Sequence, residues 1–477
     1  MTLRWKLQVF LICFSISLLC ETVSYGGNTL TAINTVIDQQ VAAGQKQILI
    51  PAGRYGLTGP IMIDDAWEGR EIACDGQVEI LSLSPDPVIH IKNSKDVTIK
   101  GLSLKSVDPN DPSQPIAFYG GTQVSKGRSN AITVTDSNNV RILNNNISGY
   151  WSGIYITSIN NSCHDILVKD NHITDCGYFS IAANCRLDWF GQKKFWERTY
   201  DFISKTFNFK NNESDQPMIV KIQFVGNYIT RSEQGPFFWG VNDSIMDGNE
   251  VIGNIIGIRM ERALRNEIRG NKVHQNLQSG IIIYNGSNDN IINANKIYNN
   301  NMQAATIKRI AQKKGMDQDF LPGNLISYER TSKADHIVYY ARTRGKEDIL
   351  VLNKEYWPYP TAYEYITPGI RFGTATFNEL KKYWGMYFCQ MGGVGIELRN
   401  RARRNTIEDN DIYNSTPLSM GTGYTIYGIR ISQLNLCDPE EYASRENIIR
   451  NNRIWNMVKG TILDDNNRFK INADNVY

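Results

Sequence analysis

The sequence lacks a strong charge excess, a zinc-ligand pattern and a second long apolar run. Its 51 Lys and Arg residues nearly balance its 48 Asp and Glu residues, so the net charge of +3 does not indicate nucleic-acid or membrane-surface binding. There is no CxxC pair and no Cys/His cluster with zinc spacing, so no metal site is expected from these residues. After the N-terminal segment, no stretch is apolar for long enough to span a bilayer. A hydrophobic content of 41% indicates a folded globular chain.

The N-terminal segment has the features of a signal peptide. Arg4 and Lys6 precede an apolar run, Leu7–Leu19, and small residues follow it. We therefore predict a signal peptide over residues 1–24, a mature chain that begins near Tyr25, and a secreted or periplasmic location. Lipid attachment at Cys20 is the alternative, and it is disfavoured because Leu19, rather than a small residue, precedes the cysteine.

Export permits disulfide bonds between the cysteines of the mature chain. Three of these cysteines are close in sequence, which makes a bridge among them plausible, although spacing cannot define the pairing. They are Cys163, Cys176 and Cys185.

A short phrase recurs along most of the chain and consists of Asn, one variable residue, and then Ile or Val. Successive copies at Asn249, Asn271 and Asn295 are separated by 22 and 24 residues. Such a period is typical of a solenoid, in which each repeat is one coil. The copies begin at Asn145, Asn171, Asn227, Asn249, Asn271, Asn295, Asn410 and Asn452.

A second phrase follows the first and consists of Gly and then alternating apolar residues, as in Gly257–Met260 and Gly280–Ile283. Both phrases predict short strands separated by turns. One coil cannot bury its own apolar face, but stacked coils pair each strand with its neighbours at about 4.8 Å per coil. The inward Ile and Val side chains then form one core. The recurring asparagines are expected to stack in a buried ladder.

These repeats resemble the pectate-lyase-like superfamily, whose fold is the right-handed parallel β-helix. The resemblance implies an all-β solenoid over residues 28–477, with an N-terminal cap that begins with a helix at Ala32–Ile37. Two insertions interrupt the period, at residues 186–218 and 302–392, and are expected to lie over one face. Within the second, Ile337–Tyr340 and Ile349–Leu352 are predicted strands, and Phe377–Trp384 is a predicted short helix.

Alignment of the Gly phrases predicts two columns of side chains on the outside of one sheet, because side chains alternate along a strand. Exposed aromatic residues beside paired charges suit a sugar, which stacks on a ring and bonds through hydroxyls and carboxylates. The alternative is a solvated face of ion pairs. The candidate residues of the first column are Phe237, Arg259, Glu397 and Arg430, with Ile462 beyond them, and those of the second are Trp239, Glu261, Tyr284 and Arg399.

The chemistry of these columns favours a lyase or C5-epimerase that acts on an acidic polysaccharide. Removal of the C5 proton of a uronate needs a cation near the carboxylate and a base near the proton. Arg259, Arg399 or Arg430 would supply the cation, Tyr284 would act as base or acid, and Glu261 would assist. Trp239, Phe237, Glu397 and Arg430 would bind the sugar.

Two other functions stay open. A glycoside hydrolase needs two carboxylates about 5–9.5 Å apart, and Glu261 and Glu397 are expected two coils apart and in different columns. A non-catalytic polysaccharide-binding or adhesion β-helix would need no catalyst. The set of motifs known from polygalacturonases is missing. The motif of alginate epimerases is also missing, since the segment that resembles it, Asp108–Asp111, carries Asn110 where the epimerases have His. No acidic cluster of the pectate-lyase calcium type is evident, so no cofactor is predicted and calcium stays open.

His274 is a second candidate for catalysis. It lies in the Asn phrase and therefore on a different face, where Tyr298 and Tyr413 are expected beside it. A single histidine is more often a hydrogen-bonded surface residue than a catalyst, so His274 ranks behind Tyr284. The sequence leaves the sugar and the oligomeric state open.

Overall fold

The protein is a solenoid of stacked parallel strands. The structure is a computed structural model that describes residues 22–25, 28–57, 59–82, 86–106, 130–185, 219–232, 234–254, 256–276, 278–301, 325–330, 336–343, 346–353, 393–415, 425–432 and 444–464. The coils contribute strands to three rows, which we call the front sheet, the side row and the rear row. Consecutive coils pair in parallel register, so each row extends along the solenoid axis.

The front sheet has eleven strands, and its order in space follows the order in sequence. The strands are β4 (Ile61–Ile63), β6 (Ile89–Lys92), β9 (Asn130–Thr135), β12 (Ser152–Thr157), β15 (Phe179–Asn184), β18 (Phe237–Trp239), β22 (Ile258–Glu261), β25 (Ile281–Tyr284), β31 (Val394–Arg399), β34 (Tyr427–Ser432) and β37 (Gly460–Asp464).

The side and rear rows belong to one larger sheet. The side row contains β7 (Thr98–Lys100), β10 (Arg141–Leu143), β13 (Cys163–Lys169), β16 (Ile219–Val225), β19 (Val241–Asn242), β20 (Ile245–Asp247), β23 (Glu267–Arg269), β26 (Ile291–Asn293), β32 (Thr406–Glu408) and β35 (Ile448–Arg450). The rear row contains β8 (Ser103–Ser106), β11 (Asn146–Ser148), β14 (His172–Thr174), β17 (Tyr228–Thr230), β21 (Glu250–Ile252), β24 (Lys272–His274), β27 (Lys296–Tyr298), β33 (Asp411–Tyr413) and β36 (Arg453–Trp455).

The N-terminal part caps the solenoid. Strands β1 (Thr22–Tyr25) and β2 (Asn28–Ala32) form an antiparallel pair, and β3 (Gln47–Gly56) and β5 (Glu71–Ser82) are long strands that begin the stack. The predicted capping helix is α1 (Ile33–Ala42), which buries Ile33, Val36 and Ile37 in the core. A short 3-10 helix spans Asp65–Trp67. One continuous cluster of inward Ile, Val and Leu side chains runs from the cap to Ile454, which confirms the predicted core.

The predicted asparagine ladder is present, and each of its members is almost fully buried. Asn271 Oδ1 accepts bonds from both the backbone N and the Nδ2 of Asn249, at 2.9 Å each. Its own N and Nδ2 donate to Asn295 Oδ1 at 3.0 Å. Nδ2 also donates to the carbonyl of Met246 at 2.9 Å, so one side-chain amide provides hydrogen-bond partners for buried backbone groups of neighbouring coils.

Two further ladders that the sequence analysis missed lie at other bends. One joins Ser244, Asn266, Asn290, Asn405 and Asn447 through backbone N to side-chain oxygen bonds. The other joins Ser232, Asn254, Asn276 and Asn300. Their spacing matches that of the first ladder, so the same period would have indicated them.

Replacing Asn271 with leucine is expected to lower the free energy of unfolding by about 1–3 kcal/mol, because buried backbone groups of two coils lose their partners. Chemical denaturation of the purified protein measures the change. Lys272→Leu, at an exposed neighbouring position, is the control and should shift the free energy by no more than about 0.5 kcal/mol. A loss at Asn271 no larger than that of the control would contradict a stabilising ladder.

A column of glycines lets the backbones of adjacent coils approach closely at the start of the front strands. A Cβ at Gly257 would lie 2.6 Å from Val273 Cγ1 and still closer to the carbonyl oxygen of Gly280. Gly280 repeats this arrangement against Gly395 and Ile297. These glycines are therefore required by space, since a methyl group has no room.

Gly257→Ala is expected to destabilise the protein by about 1–3 kcal/mol, because the backbone of the next coil would have to shift. The melting temperature and denaturant midpoint report this change. Gly59→Ala is the matched control, since a Cβ there meets no atom within 4 Å. Equal stability of the two variants would rule out the close approach.

The second insertion adds no coil to the solenoid. Strand β25 pairs directly with β31, β26 with β32, and β27 with β33. Within the insertion, β28 (Leu325–Arg330), β29 (His336–Thr343) and β30 (Lys346–Asn353) form an antiparallel sheet, which confirms both predicted strands. The predicted helix Phe377–Trp384 and the insertion at 186–218 lie outside the described residues.

The cysteines of the described residues are thiols, so the predicted bridge among Cys163, Cys176 and Cys185 is wrong. Each sulfur donates to a backbone carbonyl instead: Cys163 to Thr157 at 3.1 Å, Cys176 to Thr174 at 3.7 Å and Cys185 to Gly240 at 2.8 Å. Burial raises the pKa of Cys163 and that of Cys176 to about 12. These thiols therefore pack as small apolar groups within the coils.

The predicted signal peptide and the alternative lipid site at Cys20 lie outside the described residues, except that Thr22–Ser24 begin β1. Among the residues described, no helix has the length and hydropathy needed to cross a membrane.

Candidate functional site

The candidate residues form two columns on the outer face of the front sheet. Phe237 lies opposite Arg259 and Trp239 opposite Glu261. The next pairs along the columns are Glu261 with Tyr284, Tyr284 with Arg399, and Glu397 with Arg430. The register is the one that the alignment of Gly phrases predicts, including the coils of Ala182 and Phe237.

The last coil departs from this register by one residue. The alignment places Ile462 beside Arg430, but the structure pairs Leu463 with Arg430 and Ile462 with Ile429. Ile462 packs against the core, so the inward position goes to the residue that extends the apolar stack. Gly460 therefore does not mark the same position as the earlier glycines.

The aromatic residues of the columns are buried, and the expectation that they are exposed is wrong. Phe237 is 1% exposed and Trp239 is 9% exposed. Phe237 stacks on Phe179 with ring centroids 5.0 Å apart, and Trp239 lies 6.0 Å from Phe237. The guanidinium of Arg262 lies 6.0 Å from the Trp239 ring. These rings form a second small apolar cluster outside the solenoid core rather than an open platform.

Arg259 is the centre of the polar part of the site. Its guanidinium lies 5.1 Å from the Phe237 ring and 4.7 Å from the Tyr284 ring, so two aromatic rings flank it. Nη1 donates to Gln234 Oε1 at 3.0 Å, and Nη2 donates to Glu261 Oε2 at 3.1 Å. Nη2 also donates to Tyr284 Oη. The cation is therefore fixed in position by hydrogen bonds and ring contacts.

Glu261 is held from its other side by an amide. Asn285 Nδ2 donates to Glu261 Oε1 at 2.8 Å, and Asn400 Nδ2 donates to Asn285 Oδ1 at 3.3 Å. Glu261 is 2% exposed, so its charge is matched within the protein. We call Gln234, Arg259, Glu261, Tyr284 and Asn285 the front network. Sequence reasoning missed Gln234 and Asn285, although Asn285 directly follows the strand that carries Tyr284.

Charged residues continue along the columns beyond the front network. Glu397 is 0% exposed and Arg399 is 4% exposed, while Arg430 on the next strand is half-buried. Tyr284, which is 6% exposed, lies between Glu261 and Arg399. The structure thus brings together all the predicted site residues except His274.

His274 lies in the rear row, on a different face from the front network. Its Nε2 lies 3.2 Å from Glu250 Oε1, and its ring stacks on Tyr298 with centroids 4.5 Å apart. Burial lowers the pKa of His274, although the hydrogen bond to Glu250 opposes this. The stack continues through Tyr413 to Trp455, which gives His274 an aromatic packing environment.

The described part of the chain contains no group of three or more His, Cys, Asp or Glu side chains that could hold a metal ion.

Comparison with known proteins supports the fold. A family model described as a right handed beta helix region matches residues 204–316. Curated protein sequences give no match to this chain. Together with the parallel pairing of the strands, the family match confirms the predicted right-handed parallel β-helix.

The solved structures to which the chain is similar have low sequence identity to it. The A-module of mannuronan C-5 epimerase AlgE4 from Azotobacter vinelandii is 11% identical, with 95% of this chain and 98% of that chain covered and a TM-score of 0.44. The periplasmic alginate epimerase AlgG is 12% identical, with coverages of 90% and 75% and a TM-score of 0.42. The Dettilon tailspike protein is 14% identical, with coverages of 93% and 66% and a TM-score of 0.46.

Proposed function

We propose that this chain acts outside the cytoplasm on an acidic polysaccharide, by lyase or C5-epimerase chemistry, at the front network and the arginines beside it. The observation that carries the proposal is the burial of charged side chains on the front strands β22 and β31, with Tyr284 of β25 between them. Glu261, Glu397 and Arg399 are each no more than 4% exposed.

Burying charged side chains costs desolvation free energy even when they are paired, so their presence here favours a role that apolar residues could not fill. A sheet face that only had to be covered would be more stable with well-packed apolar side chains. The same columns do carry such residues at Phe237 and Ile282, which are each 1% exposed. The change from aromatic to charged residues within a few coils therefore marks a specialised part of the face.

The chemistry that fits is removal of the C5 proton of a uronate. The base takes the proton, the C5–H bond breaks, and its electron pair is stabilised by the neighbouring carboxylate, whose charge a cation must neutralise. Tyr284 is the proposed base, because its Oη lies at the centre of the front network, where it accepts a hydrogen bond from Arg259. Arg399, the direct neighbour of Tyr284 on the next strand, is the proposed partner of the carboxylate.

The two enzyme classes differ only in what happens next. In a lyase the electron pair forms the C4–C5 double bond and the glycosidic C4–O bond breaks, with a proton passing to the leaving oxygen. In an epimerase a proton returns to C5 from the opposite face of the ring. Glu261 is a proposed aid to these proton transfers, while Trp239, Phe237, Glu397 and Arg430 would contribute to the shape and charge of the sugar site.

Glycoside hydrolysis fits less well. Glu261 and Glu397 lie on strands separated by β25 and in different columns. Two strand spacings separate their backbones by about 10 Å. A pair of catalytic carboxylates needs about 5–9.5 Å between the carboxyl groups, with both facing one bond.

A non-catalytic polysaccharide-binding β-helix is the second candidate, and the low exposure of the columns favours it. Tyr284 is 6% exposed and Trp239 is 9% exposed, so in this conformation neither presents a ring face to solvent. A protein that only binds glycans through another surface would tolerate this burial.

A glycan panel tests the proposal. The purified protein is incubated with polyuronates and with neutral polysaccharides, and unsaturated uronate, reducing ends and C5 hydrogen exchange are followed. We expect unsaturated uronate or C5 exchange with at least one polyuronate. New reducing ends without unsaturation would indicate a hydrolase, and binding without any turnover would favour the second candidate.

A further inference from the structure

A polar concavity lies on the rear row, away from the front network. This rear groove has a volume of about 700 Å³ and crosses the strands β8, β11, β14 and β17. Its lining residues are Lys105, Asn146, Ser148, His172, Thr174, Asp175, Tyr228, Thr230 and Arg231. None of them belongs to the site proposed above.

The groove exists because one outward column changes from small to large side chains. In successive coils this column carries Ser148, Thr174 and Thr230, which are hydroxyl residues in direct register. Further along, the same column carries His274 and the aromatic stack that begins at Tyr298. The stacked rings fill the space that the small residues leave open, so the groove is confined to the earlier coils.

One wall of the rear groove is aromatic. His172 and Tyr228 are neighbours in register and pack edge to face, with ring centroids 4.8 Å apart. Tyr228 is 37% exposed, which makes it one of the few large side chains with an open surface in the described residues. Burial and the nearby Arg231 lower the pKa of His172 and thus favour its neutral form. The wall therefore offers an apolar ring surface of the kind on which sugars stack.

The other wall is a fixed ion pair. Arg231 Nε and Nη2 donate to the two carboxylate oxygens of Asp175 at 2.8 and 2.6 Å. Thr174 Oγ1 donates to Asp175 Oδ2 at 2.9 Å, which links the ion pair to the column of hydroxyl residues that forms the floor of the groove. A bidentate pair of this kind has a defined orientation and presents polar edges to a ligand with hydroxyl groups.

The floor adds a cation at one end. Lys105 is the neighbour of Ser148 on β8 and lies within the groove. Since Arg231 and Asp175 offset each other and His172 is mainly neutral, Lys105 gives the groove a net positive charge. No ion pair joins Lys105 to another residue in the described part of the chain.

We infer that the rear groove is a second glycan-binding site, which takes an oligosaccharide that carries carboxylates and runs along the solenoid axis. A ring stacks on Tyr228, hydroxyls bond to the Ser and Thr side chains of the floor and to the Asp175–Arg231 pair, and a carboxylate faces Lys105. A sugar chain fits because the groove repeats its hydroxyl residues once per coil. The inference shares the ligand class of the proposed function, but it does not depend on catalysis at Tyr284.

Calorimetric titration with oligouronates and with their neutral counterparts tests the inference. The titrations use Tyr228→Ala, Lys105→Ala and Thr174→Tyr, which places in the groove the residue type that fills this column at Tyr298. We expect affinity to fall about tenfold for Tyr228→Ala and several-fold for Lys105→Ala, and binding in the groove to be lost for Thr174→Tyr. Lys296→Ala, at an exposed lysine of the same row outside the groove, is the control. Melting temperatures verify that each variant is folded.

The possible outcomes separate the two proposals. Uronate binding that is weakened by the groove variants but retained in Lys296→Ala supports the rear site, even if no turnover is found. Binding that is unchanged in all three folded groove variants overturns it, even if the front network proves catalytic. Neutral oligosaccharides that bind as tightly as the oligouronates would overturn the assignment of an acidic ligand, and no glycan binding at all would overturn both proposals.

Discussion

Replacing Tyr284 with phenylalanine is expected to lower kcat on the acidic substrate by about 10²- to 10⁴-fold, because the group that accepts the C5 proton is lost. The ring remains, so its contact with the guanidinium of Arg259 is kept. Arg259 loses one hydrogen-bond acceptor but retains Glu261 and Gln234. The free energy of unfolding should therefore fall by only about 0.5–1.5 kcal/mol.

Steady-state kinetics and a thermal melt on the same preparations check this prediction. Tyr413→Phe is the matched control, since it removes a tyrosine hydroxyl from the rear row and keeps the stacked ring. The control should retain wild-type kcat. If Tyr284→Phe has wild-type kcat on the true substrate, Tyr284 is not the base, and His274 with its partner Glu250 becomes the next pair to test.

Arg259→Ala should lower the free energy of unfolding by about 3–5 kcal/mol, because it leaves the carboxylate of Glu261 buried without its cation. Glu261 is only 2% exposed, and Asn285 would remain as its amide donor. The substitution also removes the group between the Phe237 and Tyr284 rings. Denaturant unfolding measures the loss.

Two variants distinguish the stability lost by leaving a charge buried and unpaired from the stability lost through packing or through a surface ion pair. The double variant Arg259→Met with Glu261→Gln removes both charges and should recover most of the lost stability. Arg269→Ala breaks an exposed pair with Asp247, in which the Arg269 side chain is 44% exposed, and should cost less than about 1 kcal/mol. A cost for Arg259→Ala that is no greater than for Arg269→Ala would mean that water reaches Glu261.

The solenoid was predictable from the sequence because its physical requirements repeat with the coil. An inward Ile or Val, a glycine with no room for a Cβ and a buried asparagine amide recur at fixed spacings, as at Gly257 and Asn271. The same repetition predicted which residues of the front columns are neighbours. The predicted register is wrong at Ile462, because Gly460 does not occupy the position that the earlier glycines mark.

Burial on the outer face was not predictable from the alternation of side chains. Alternation separates inward from outward positions, but it does not indicate whether an outward position is covered. Phe237 and Trp239 point outward and are nevertheless buried by neighbours such as Phe179. The disulfide prediction failed for a similar reason, since closeness in sequence does not align the sulfurs of Cys163, which begins β13, and Cys176, which follows β14.

The rear groove was not predicted because small polar residues have no distinctive pattern in a sequence. Ser148, Thr174 and Thr230 are ordinary in isolation, and only their register shows that they leave a concavity beside Tyr228. A column-by-column comparison of side-chain size, in addition to charge and aromaticity, would have indicated where the aromatic stack at Tyr298 is absent.

The most direct test of the central claim is hydrogen exchange at C5 of polyuronates in deuterium oxide, since lyase and epimerase chemistry share removal of this proton. The wild-type protein is predicted to place deuterium at C5, or to form unsaturated uronate, with at least one polyuronate, and Tyr284→Phe should do neither at a comparable rate. If the folded wild-type protein neither exchanges nor cleaves any polyuronate, the front network is not a catalytic site for acidic polysaccharides.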